Sequence, residues 1–389
     1  MPTATDIPAQ AESHRAEVVA LARDFAQREI LPHAAEWDRE ARFPAGTYKQ
    51  LAELGFFGLR IPEEFDGLGL DLLTYVMVLE EIAAADAGIA VTLSIHNSMV
   101  AGMVLEHGSE AQRARWLKPM ARGEVMGAFS LSEPDSGSDA ASLSTRAKRD
   151  GSQWLLNGMK AWVTNGDVAD LIMVMARTDS SDAGRGRRGI SAFLLPGGTA
   201  GVTPGKPEDK MGLRASHTTT LALTDVRLPA DALLGQEGEG FTYALGGLDR
   251  GRLGVGAQAV GIARAALEHT VRYASERRQF DRPIRDFQAV QFRLADMATR
   301  IAASRALLHE AARGAIPDTP ASAQAGMAKL FASETAMWVT THAVQIFGGY
   351  GYMRDYPVEK LFRDAKVTEI YEGTSEIQRM VIGRALGNA

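Results

Sequence analysis

Apolar residues recur at helical spacing over the first third of the chain. One apolar stripe occupies residues 18–30 and stops at Pro32, a residue that ends helices. The segments 72–85 and 93–106 have the same helical period. The pattern therefore predicts a helical N-terminal domain over residues 1–126.

The period of the pattern changes after Gly127. Short runs rich in apolar and β-branched residues follow one another, and Gly, Asp, Asn or Pro bound each run. Such runs at close spacing are typical of antiparallel strands, and they predict a barrel-like antiparallel β domain over residues 127–238. The predicted strands include 154–157, 171–178, 190–195 and 218–223.

Helical periodicity returns near Phe241 and continues to the C-terminus. Three long stretches rich in Ala and Leu, with a further helix near the end, predict a four-helix bundle over residues 239–389. The predicted fold class is therefore mainly α with a middle β domain. The long stretches are 253–277, 287–313 and 321–347.

Composition narrows the range of functions. The 389 residues are 46% hydrophobic and 23% charged, and the net charge of -6 argues against a general nucleic-acid binder. No apolar stretch approaches ~18 residues, so no membrane span is predicted. The chain has no cysteine and only scattered histidines, so no metal site is predicted.

The first twelve residues carry acids and lack an apolar core, which favours a cytoplasmic enzyme. The Ala, Gly and Arg usage suggests a bacterial source.

A candidate for catalytic chemistry lies near the C-terminus. Glu372 stands between Tyr371 and Gly373 and is followed by a short polar turn. Aromatic and apolar neighbours raise the pKa of a carboxyl group, which suits a general base near neutral pH, and glycine lets a ligand approach the backbone. The same pattern is also typical of the start of a helix, with Thr374 or Ser375 as the cap.

Three other patterns are ambiguous on their residues alone. The block 129–139 is either a loop that binds a ligand or a plain turn built by its proline and glycine. Trp162, at the end of a predicted strand, is typical of a core residue. Arg277 is typical of a solvated helix end, although its guanidinium also suits a pyrophosphate.

Two glycine patterns approach a dinucleotide fingerprint. One, at 184–189, lies in a charged loop before a predicted strand, and the other, at 254–259, lies inside a helical pattern. The fingerprint requires a strand, a turn and then a helix. We therefore predict no Rossmann fold.

Two blocks of the sequence resemble the signatures of the acyl-CoA dehydrogenases. They are 129–139, which reads FSLSEPDSGSD, and 345–378, which contains QIFGGYGY and YEGTSEIQ. The resemblance extends from about Arg15 to the C-terminus. It implies a helical, β and helical domain order, an FAD-dependent enzyme acting on an acyl-CoA, and a homotetramer, arranged as a dimer of dimers, that shares its FAD sites between subunits.

The resemblance implies that separate parts of the chain hold FAD. It places Trp162 on the flavin, Thr164 near the ring nitrogen that accepts hydride, Arg277 and Gln288 at the diphosphate, and 345–349 at the adenine of a neighbouring subunit. The predicted cofactor-binding residues are Phe129, Leu131, Ser132, Gly137, Ser138, Trp162, Val163, Thr164, Arg277, Phe280, Gln288, Gln345, Ile346, Gly348, Gly349, Thr374 and Glu376.

The resemblance also implies a reaction, the α,β-dehydrogenation of a saturated acyl-CoA to the trans-2-enoyl-CoA, in fatty acid β-oxidation or branched-chain amino acid catabolism. Some relatives carry their base at the position of Gly251, where a glycine cannot act, so the resemblance assigns the base to Glu372. This groups the chain with the short-, medium- and short/branched-chain enzymes, and overall likeness alone favours a short or short-branched substrate. The resemblance also implies that the electrons pass to electron-transferring flavoprotein. The predicted substrate contacts are Ser138, Leu248, Asp249, Arg252, Tyr371 and Gly373.

Other functions fit parts of the same pattern. An acyl-CoA oxidase uses the same site but passes electrons to oxygen. A flavin-dependent monooxygenase or nitroalkane oxidase of this fold usually replaces or lacks the glutamate. A non-catalytic helical interaction protein would purify without colour, and a thioester on a carrier protein is an alternative to acyl-CoA.

Overall fold

The structure is a computed structural model that describes residues 6–178 and 186–387. Helices form both ends of the chain and a sheet forms the middle, which confirms the predicted fold class. The α-helices are α1 Asp6–Phe25, α2 Ala34–Glu40, α3 Ala45–Glu53, α4 Leu72–Ala85, α5 Ala87–Ser94, α6 Gly102–His107, α7 Glu110–Ala121, α8 Gly240–Glu276, α9 Gln288–Arg313, α10 Ala321–Phe347, α11 Pro357–Thr368 and α12 Ser375–Gly387. The strands are β1 Gly127–Ser130, β2 Arg146–Asp150, β3 Gln153–Thr164, β4 Leu171–Arg177, β5 Ile190–Pro196, β6 Val202–Pro204, β7 Thr218–Pro229, β8 Leu233–Leu234, β9 Arg278–Gln279 and β10 Arg282–Pro283.

Local sequence explains where several helices begin and end. The carboxylate of Asp71 accepts a hydrogen bond from Thr74 N at 2.6 Å and caps α4. Ser109 and Gln112 form a capping box at the start of α7. Helix α9 ends at Gly314, whose φ of +66° is the left-handed conformation that glycine adopts at helix ends.

The sheet is open, so the prediction of a barrel-like domain is wrong, whereas most of its strand pairs are antiparallel as predicted. The strand order is β6-β7-β3-β2-β4-β5-β8, with β1 paired to β4. Strand β1 runs parallel to β4, and β2 also meets β4 in parallel. The end strands β6 and β8 have only three and two residues and lie at opposite ends of the order, so they do not close the sheet. The hydrophobic period of a sequence predicts where strands lie, but it does not predict which strands pair or in which direction.

Two hydrophobic cores lie on opposite faces of this sheet. Alternate residues of β4 divide between them, since Met173 belongs to a large core shared by the helices of both chain ends and Val174 belongs to a smaller core. The smaller core contains Trp154, whose ring meets that of Phe193 edge-on at 5.2 Å. The two helical portions share one core, so the packing of buried residues does not divide the chain at 126 and 238. These domain boundaries therefore stay predictions.

One helical stretch is longer and more apolar than expected from the prediction that the chain has no membrane span. The segment Ala87–His107 is long and apolar enough to cross a membrane by length and hydropathy alone. Within the protein, however, 89% of its apolar window is buried. A buried helix of this kind is a core element, and two polar groups, His96 and Asn97, find backbone carbonyl partners inside it and next to it.

The structure describes one of the two glycine patterns completely and the other only in part. Residues 254–259 lie within the helix α8, so the strand-to-helix turn of a dinucleotide site is absent there. The first of the other pattern's glycines, in 184–189, lies outside the described residues, and the pattern leads into β5, a strand.

A buried charge cluster joins the three portions of the chain. Lys360 on α11 pairs with Asp86 at 2.9 Å and with Asp364 at 2.6 Å. Asp364 also accepts a hydrogen bond from the backbone N–H of Leu213, in the middle portion, at 2.7 Å. The cluster fixes the start of α5, the connection between β6 and β7, and α11 relative to one another, directly before the turn that carries Glu372.

Candidate active site

Glu372 lies in the turn between α11 and α12 with an unusual backbone conformation. Its φ is +52°, and that of Gly373 is +96°. A glutamate in the left-handed region costs free energy, whereas glycine adopts it readily. Such a conformation persists only where the surrounding structure imposes it, and this is typical of functional sites.

The carboxylate of Glu372 is buried without a hydrogen-bond partner. Both Oε1 and Oε2 lack a partner among the described residues. Burial raises the pKa of Glu372 to about 7, although the positive charges of Arg252 and Lys329 oppose the rise. A carboxyl group with this pKa is a base that exchanges its proton near neutral pH.

Gly251 on α8 faces this carboxylate. A Cβ atom at position 251 would lie 2.8 Å from Glu372 Cδ and closer still to Oε2. The absence of a side chain on α8 therefore provides the space that the Glu372 carboxylate occupies. An acidic side chain at position 251 would therefore reach the space that the carboxylate of Glu372 occupies.

Three side chains hold the carbonyl groups of the Glu372 turn. Gln378 Nε2 donates to the carbonyl oxygens of Glu372 and Gly373 at 3.1 and 2.9 Å. Lys329 Nζ donates to the Gly373 oxygen at 2.8 Å, and Arg252 Nε donates to the Glu372 oxygen at 3.5 Å. These hydrogen bonds account for the left-handed turn.

A polar pair lies beside the carboxylate, further along α8. The hydroxyl group of Tyr371 donates to Oε1 of Gln258, a fully buried residue. The Nε2 group of Gln258 has no partner among the described residues. This Nε2 group is therefore a buried donor that no described residue satisfies.

The first predicted flavin block adjoins the end of β3. Strand β1 carries Phe129, and Ala161 N donates to the carbonyl oxygen of Ser132 at 2.9 Å, which joins the block to β3. Leu131 and Val163 are buried, so they anchor the flavin block and the end of β3 in the protein interior. Thr164, the last residue of β3, is half-buried.

Trp162 does not behave as a core residue. Its side chain is 66% exposed, and its φ of +58° turns it out of the strand. Gly137 and Ser138 are also exposed, and nothing lies within 4 Å of a Cβ built on Gly137. An outward-facing indole beside an open loop with free hydroxyl groups fits a planar ring with a polar edge, such as the flavin of FAD.

Buried charges hold the flavin block in place. Lys160 Nζ donates to Glu133 at 2.9 Å and to the Leu131 carbonyl at 3.1 Å. The Glu133 carboxylate also accepts hydrogen bonds from the N–H groups of Ser144 and Thr145 at 2.6 and 2.9 Å. The pair thus fixes the loop from its inner side.

The second predicted cofactor group lies at a separate pocket of about 500 Å³. The lining contains Arg277, Ile346, Gly348 and Gly349, and it contains none of the residues of the flavin block or of β3. Phe280 is 86% exposed, and Gln288 and Gln345 are exposed as well. One chain therefore carries the two cofactor groups in separate places. The lining residues are Tyr273, Arg277, Gln279, Ile284, Ile346, Phe347, Gly348, Gly349, Tyr350 and Met353.

The remaining predicted contacts lie around the Glu372 turn. Arg252 pairs with Asp249 at 2.7 Å, so its guanidinium joins α8 to the turn, and Leu248 is half-buried on the same helix. Thr374 Oγ1 accepts a weak hydrogen bond from Ile377 N at 3.4 Å at the start of α12, and Glu376 is exposed. The capping interpretation and the catalytic one are therefore compatible.

The sequence patterns did not single out Lys329, Gln378 or Gln258. A signal for Lys329 exists, since it occupies the same stripe of α10 as Ala325, Ala328, Ala332 and Ala336, all of which are buried. A lysine on the apolar stripe of a helix is unusual and indicates a buried cation.

Comparison with known proteins identifies the family. Residues 12–124, 128–226 and 238–387 match the profiles of the N-terminal, middle and C-terminal domains of acyl-CoA dehydrogenase. The chain belongs to the acyl-CoA dehydrogenase family. It is therefore an FAD-dependent enzyme, as the resemblance implied.

Similar proteins include acyl-CoA dehydrogenases of known specificity. The chain is 47% identical over 360 residues, 92% of its length and 87% of the other, to the mitochondrial short-chain specific acyl-CoA dehydrogenase of Bos taurus. The butyryl-CoA dehydrogenase structure from Megasphaera elsdenii has a TM-score of 0.92 and 44% identity, over 96% of this chain and 97% of that one. A chain from a structure described as the electron transferring flavoprotein of Acidaminococcus fermentans has a TM-score of 0.92 and 46% identity, over 96% of this chain and 97% of that one.

Proposed function

We propose that this acyl-CoA dehydrogenase converts a saturated short or short-branched acyl-CoA to its trans-2-enoyl-CoA, with Glu372 as the base. The observation that carries the proposal is the buried, unpartnered carboxylate of Glu372, whose pKa burial raises to about 7. The ionised form of this group accepts a proton readily at neutral pH. Bound FAD supplies the acceptor for the β-hydrogen, which leaves as hydride.

The turn also supports the stabilisation of negative charge on the thioester oxygen. The α-proton of a thioester is too weakly acidic for a carboxylate alone, so donors must stabilise the developing enolate. The Glu372 N–H donates to none of the described residues. The left-handed turn, held by the hydrogen bonds on its carbonyl groups, keeps this N–H available as such a donor.

The chain-length preference is inferred from similarity. The short-chain specific acyl-CoA dehydrogenase of Bos taurus and the butyryl-CoA dehydrogenase of Megasphaera elsdenii, at 47% and 44% identity over most of this chain, support a short or short-branched substrate.

The proposed partners follow from the same observations. The separation of the Arg277 pocket from the flavin block supports a homotetramer in which neighbouring subunits complete each FAD site. Electron-transferring flavoprotein is the proposed electron acceptor, in keeping with the description of one similar structure. A bacterial cytoplasm remains a prediction from composition.

Substitution of the base tests the proposal. The Glu372→Gln holoenzyme should retain FAD and bind butyryl-CoA and isobutyryl-CoA. Its oxidised flavin absorbance should persist when either ester is added without oxygen, with the reduction rate lowered about 10²–10⁴-fold, because the amide accepts no proton. Full bleaching of the variant would remove Glu372 from this role.

Two controls define the result. Glu369→Gln removes a carboxylate three positions earlier, paired with Lys366 at 2.6 Å, and should bleach like the wild type. Aerobic turnover without an added acceptor distinguishes the oxidase alternative, since rapid peroxide formation would indicate transfer to oxygen. Failure of a panel of short esters, with reduction only by longer ones, would overturn the chain-length assignment.

A further inference from the structure

A buried lysine lies below the turn of the base. Lys329 on α10 is fully buried, and its Nζ donates to the Gly373 carbonyl oxygen at 2.8 Å. Among the residues that the structure describes, no carboxylate forms a direct ion pair with it. A buried ammonium without a paired anion is unfavourable for folding alone. Its presence at this position therefore suggests a role in the site.

The contact of Lys329 acts on the conformation of Glu372. The Gly373 carbonyl belongs to the left-handed turn, in which Glu372 has a φ of +52°. Gln378 donates to the same carbonyl at 2.9 Å. Lys329 and Gln378 thus share one acceptor, but only Lys329 carries a charge.

The charge of Lys329 acts on the ionisation of Glu372. Burial lowers the pKa of Lys329 to about 8, so it keeps its proton at pH 7. Its positive charge favours the ionised carboxylate and opposes the effect of burial. The charged and titratable groups around the two residues are Arg252 and Asp249 on α8, Tyr75 on α4, and Glu369, Tyr371 and Glu376 next to the turn.

We propose that Lys329 is a positioning residue of the active site: it holds the Gly373 carbonyl, and its buried charge keeps Glu372 ionised for proton abstraction. The proposal rests on the proposed role of Glu372 as the base. It assigns two separable effects to one side chain, one on geometry and one on charge.

Three variants separate these effects. Lys329→Gln removes the charge but keeps a donor for the Gly373 carbonyl. Lys329→Met removes both the charge and the donor. Gln378→Met removes a donor from the same carbonyl, and from that of Glu372, without changing any charge.

Two measurements apply to each holoenzyme. The first is the pH profile of anaerobic flavin reduction by butyryl-CoA. The second is the protonation of Glu372 without substrate, observed as the carboxyl band in the infrared difference spectrum and assigned by its loss in Glu372→Gln.

Loss of the charge should raise the pKa of Glu372, because an unpaired carboxylate is less stable in a buried site. Both Lys329 variants should shift the acid limb and the infrared titration upward by about one unit, which lowers the rate at pH 7 roughly fivefold. Gln378→Met should leave both unshifted. The maximal rate should fall roughly tenfold in Lys329→Met and in Gln378→Met, because each loses a donor to the Gly373 carbonyl. It should fall much less in Lys329→Gln, which keeps both donors.

The outcomes distinguish this proposal from the proposed function. An unshifted titration in Lys329→Gln overturns the role of the charge, even if Lys329→Met does not fold. Lys329→Arg, which keeps charge and donor, should retain the wild-type limb, and a shift in it would also contradict the proposal. If Glu372→Gln itself bleaches fully, the assignment of the base fails, whatever the Lys329 variants do.

Discussion

At the scale of single residues, Glu372 and Gly251 constrain each other. The base occupies the space that a side chain on α8 would take, so the acid and the glycine form one unit although they lie 121 positions apart in the sequence. Resemblance indicated both positions, but the residues alone left Glu372 open to a capping role. Lys329 was missed although its place on the alanine stripe of α10 indicates a buried cation, and its long-range contact with the Gly373 carbonyl is encoded by no local pattern.

Gly251→Ala tests this constraint. The added methyl group would lie 2.8 Å from Glu372 Cδ, so the carboxylate must move away from its position. We expect kcat to fall roughly a hundredfold, with FAD content and thermal unfolding little changed, because the displacement concerns only the orientation of the base. The matched control is Gly256→Ala on the same helix, where the new atom meets only the tip of Leu308 at 3.0 Å. Wild-type turnover in Gly251→Ala would contradict the geometry.

At the scale of elements, sequence pattern predicted those whose period is uninterrupted. The predicted bounds of α4 and α10 agree with the structure. Helical period was recognised from near Phe241, close to the observed start of α8 at Gly240, but the long stretch named within it began only at 253, because Gly246, Gly247 and Gly251 weaken the helical pattern before that point. Strand β3 was predicted as separate pieces, 154–157 and a strand that ends near Trp162, since register shifts after Leu156 and after Lys160 interrupt its alternation.

The flavin block depends on one buried ion pair inside the middle sheet. Burial alone would raise the pKa of Glu133, but Lys160 and the hydrogen bonds from Ser144 and Thr145 lower it to about 2. Glu133→Gln leaves the buried charge of Lys160 unpaired, which costs on the order of 3–5 kcal/mol. We expect the variant to lose FAD on dialysis and to unfold at lower temperature.

A double variant and a surface control make this result specific. Combining Glu133→Gln with Lys160→Met removes both charges and should recover part of the lost stability. Glu237→Gln breaks an exposed pair with Arg149, 3.0 Å long, and should change stability by less than about 1 kcal/mol. Retention of FAD by Glu133→Gln at wild-type affinity would exclude the pair as the support of the block.

At the scale of the whole molecule, the site brings together helices that are distant in sequence. Glu372 faces α8, and the carbonyl groups of its turn accept hydrogen bonds from α10 and α12. On the preceding helix, Lys360 pairs with Asp86 of the first portion and Asp364 accepts from Leu213 N of the middle portion. Hydrophobic period predicts each helix but carries no information about these long-range contacts. The assembly of the site was therefore predictable from sequence only through resemblance to a family.

The separation of the two cofactor groups leads to a prediction about subunit sharing. If the Arg277 pocket of one subunit completes the FAD site of its neighbour, Arg277→Ala should give a nearly colourless enzyme, because the charged contact to the diphosphate is lost. Glu372→Gln should be yellow but inactive. Each variant alone lacks one part of the site.

Coexpression of these two variants then tests the sharing directly. In a mixed oligomer, a subunit with Arg277→Ala supplies an intact flavin side and base, and its neighbour with Glu372→Gln supplies an intact Arg277, so one complete site forms at their junction. We expect bound FAD and anaerobic bleaching by butyryl-CoA at up to about half the wild-type level per mixed pair. In the control, Arg277→Ala is coexpressed with a subunit carrying both substitutions, and no complete site forms. If mixed oligomers are present but equally inactive, each FAD site lies within a single chain, and the separation of the two groups has another cause.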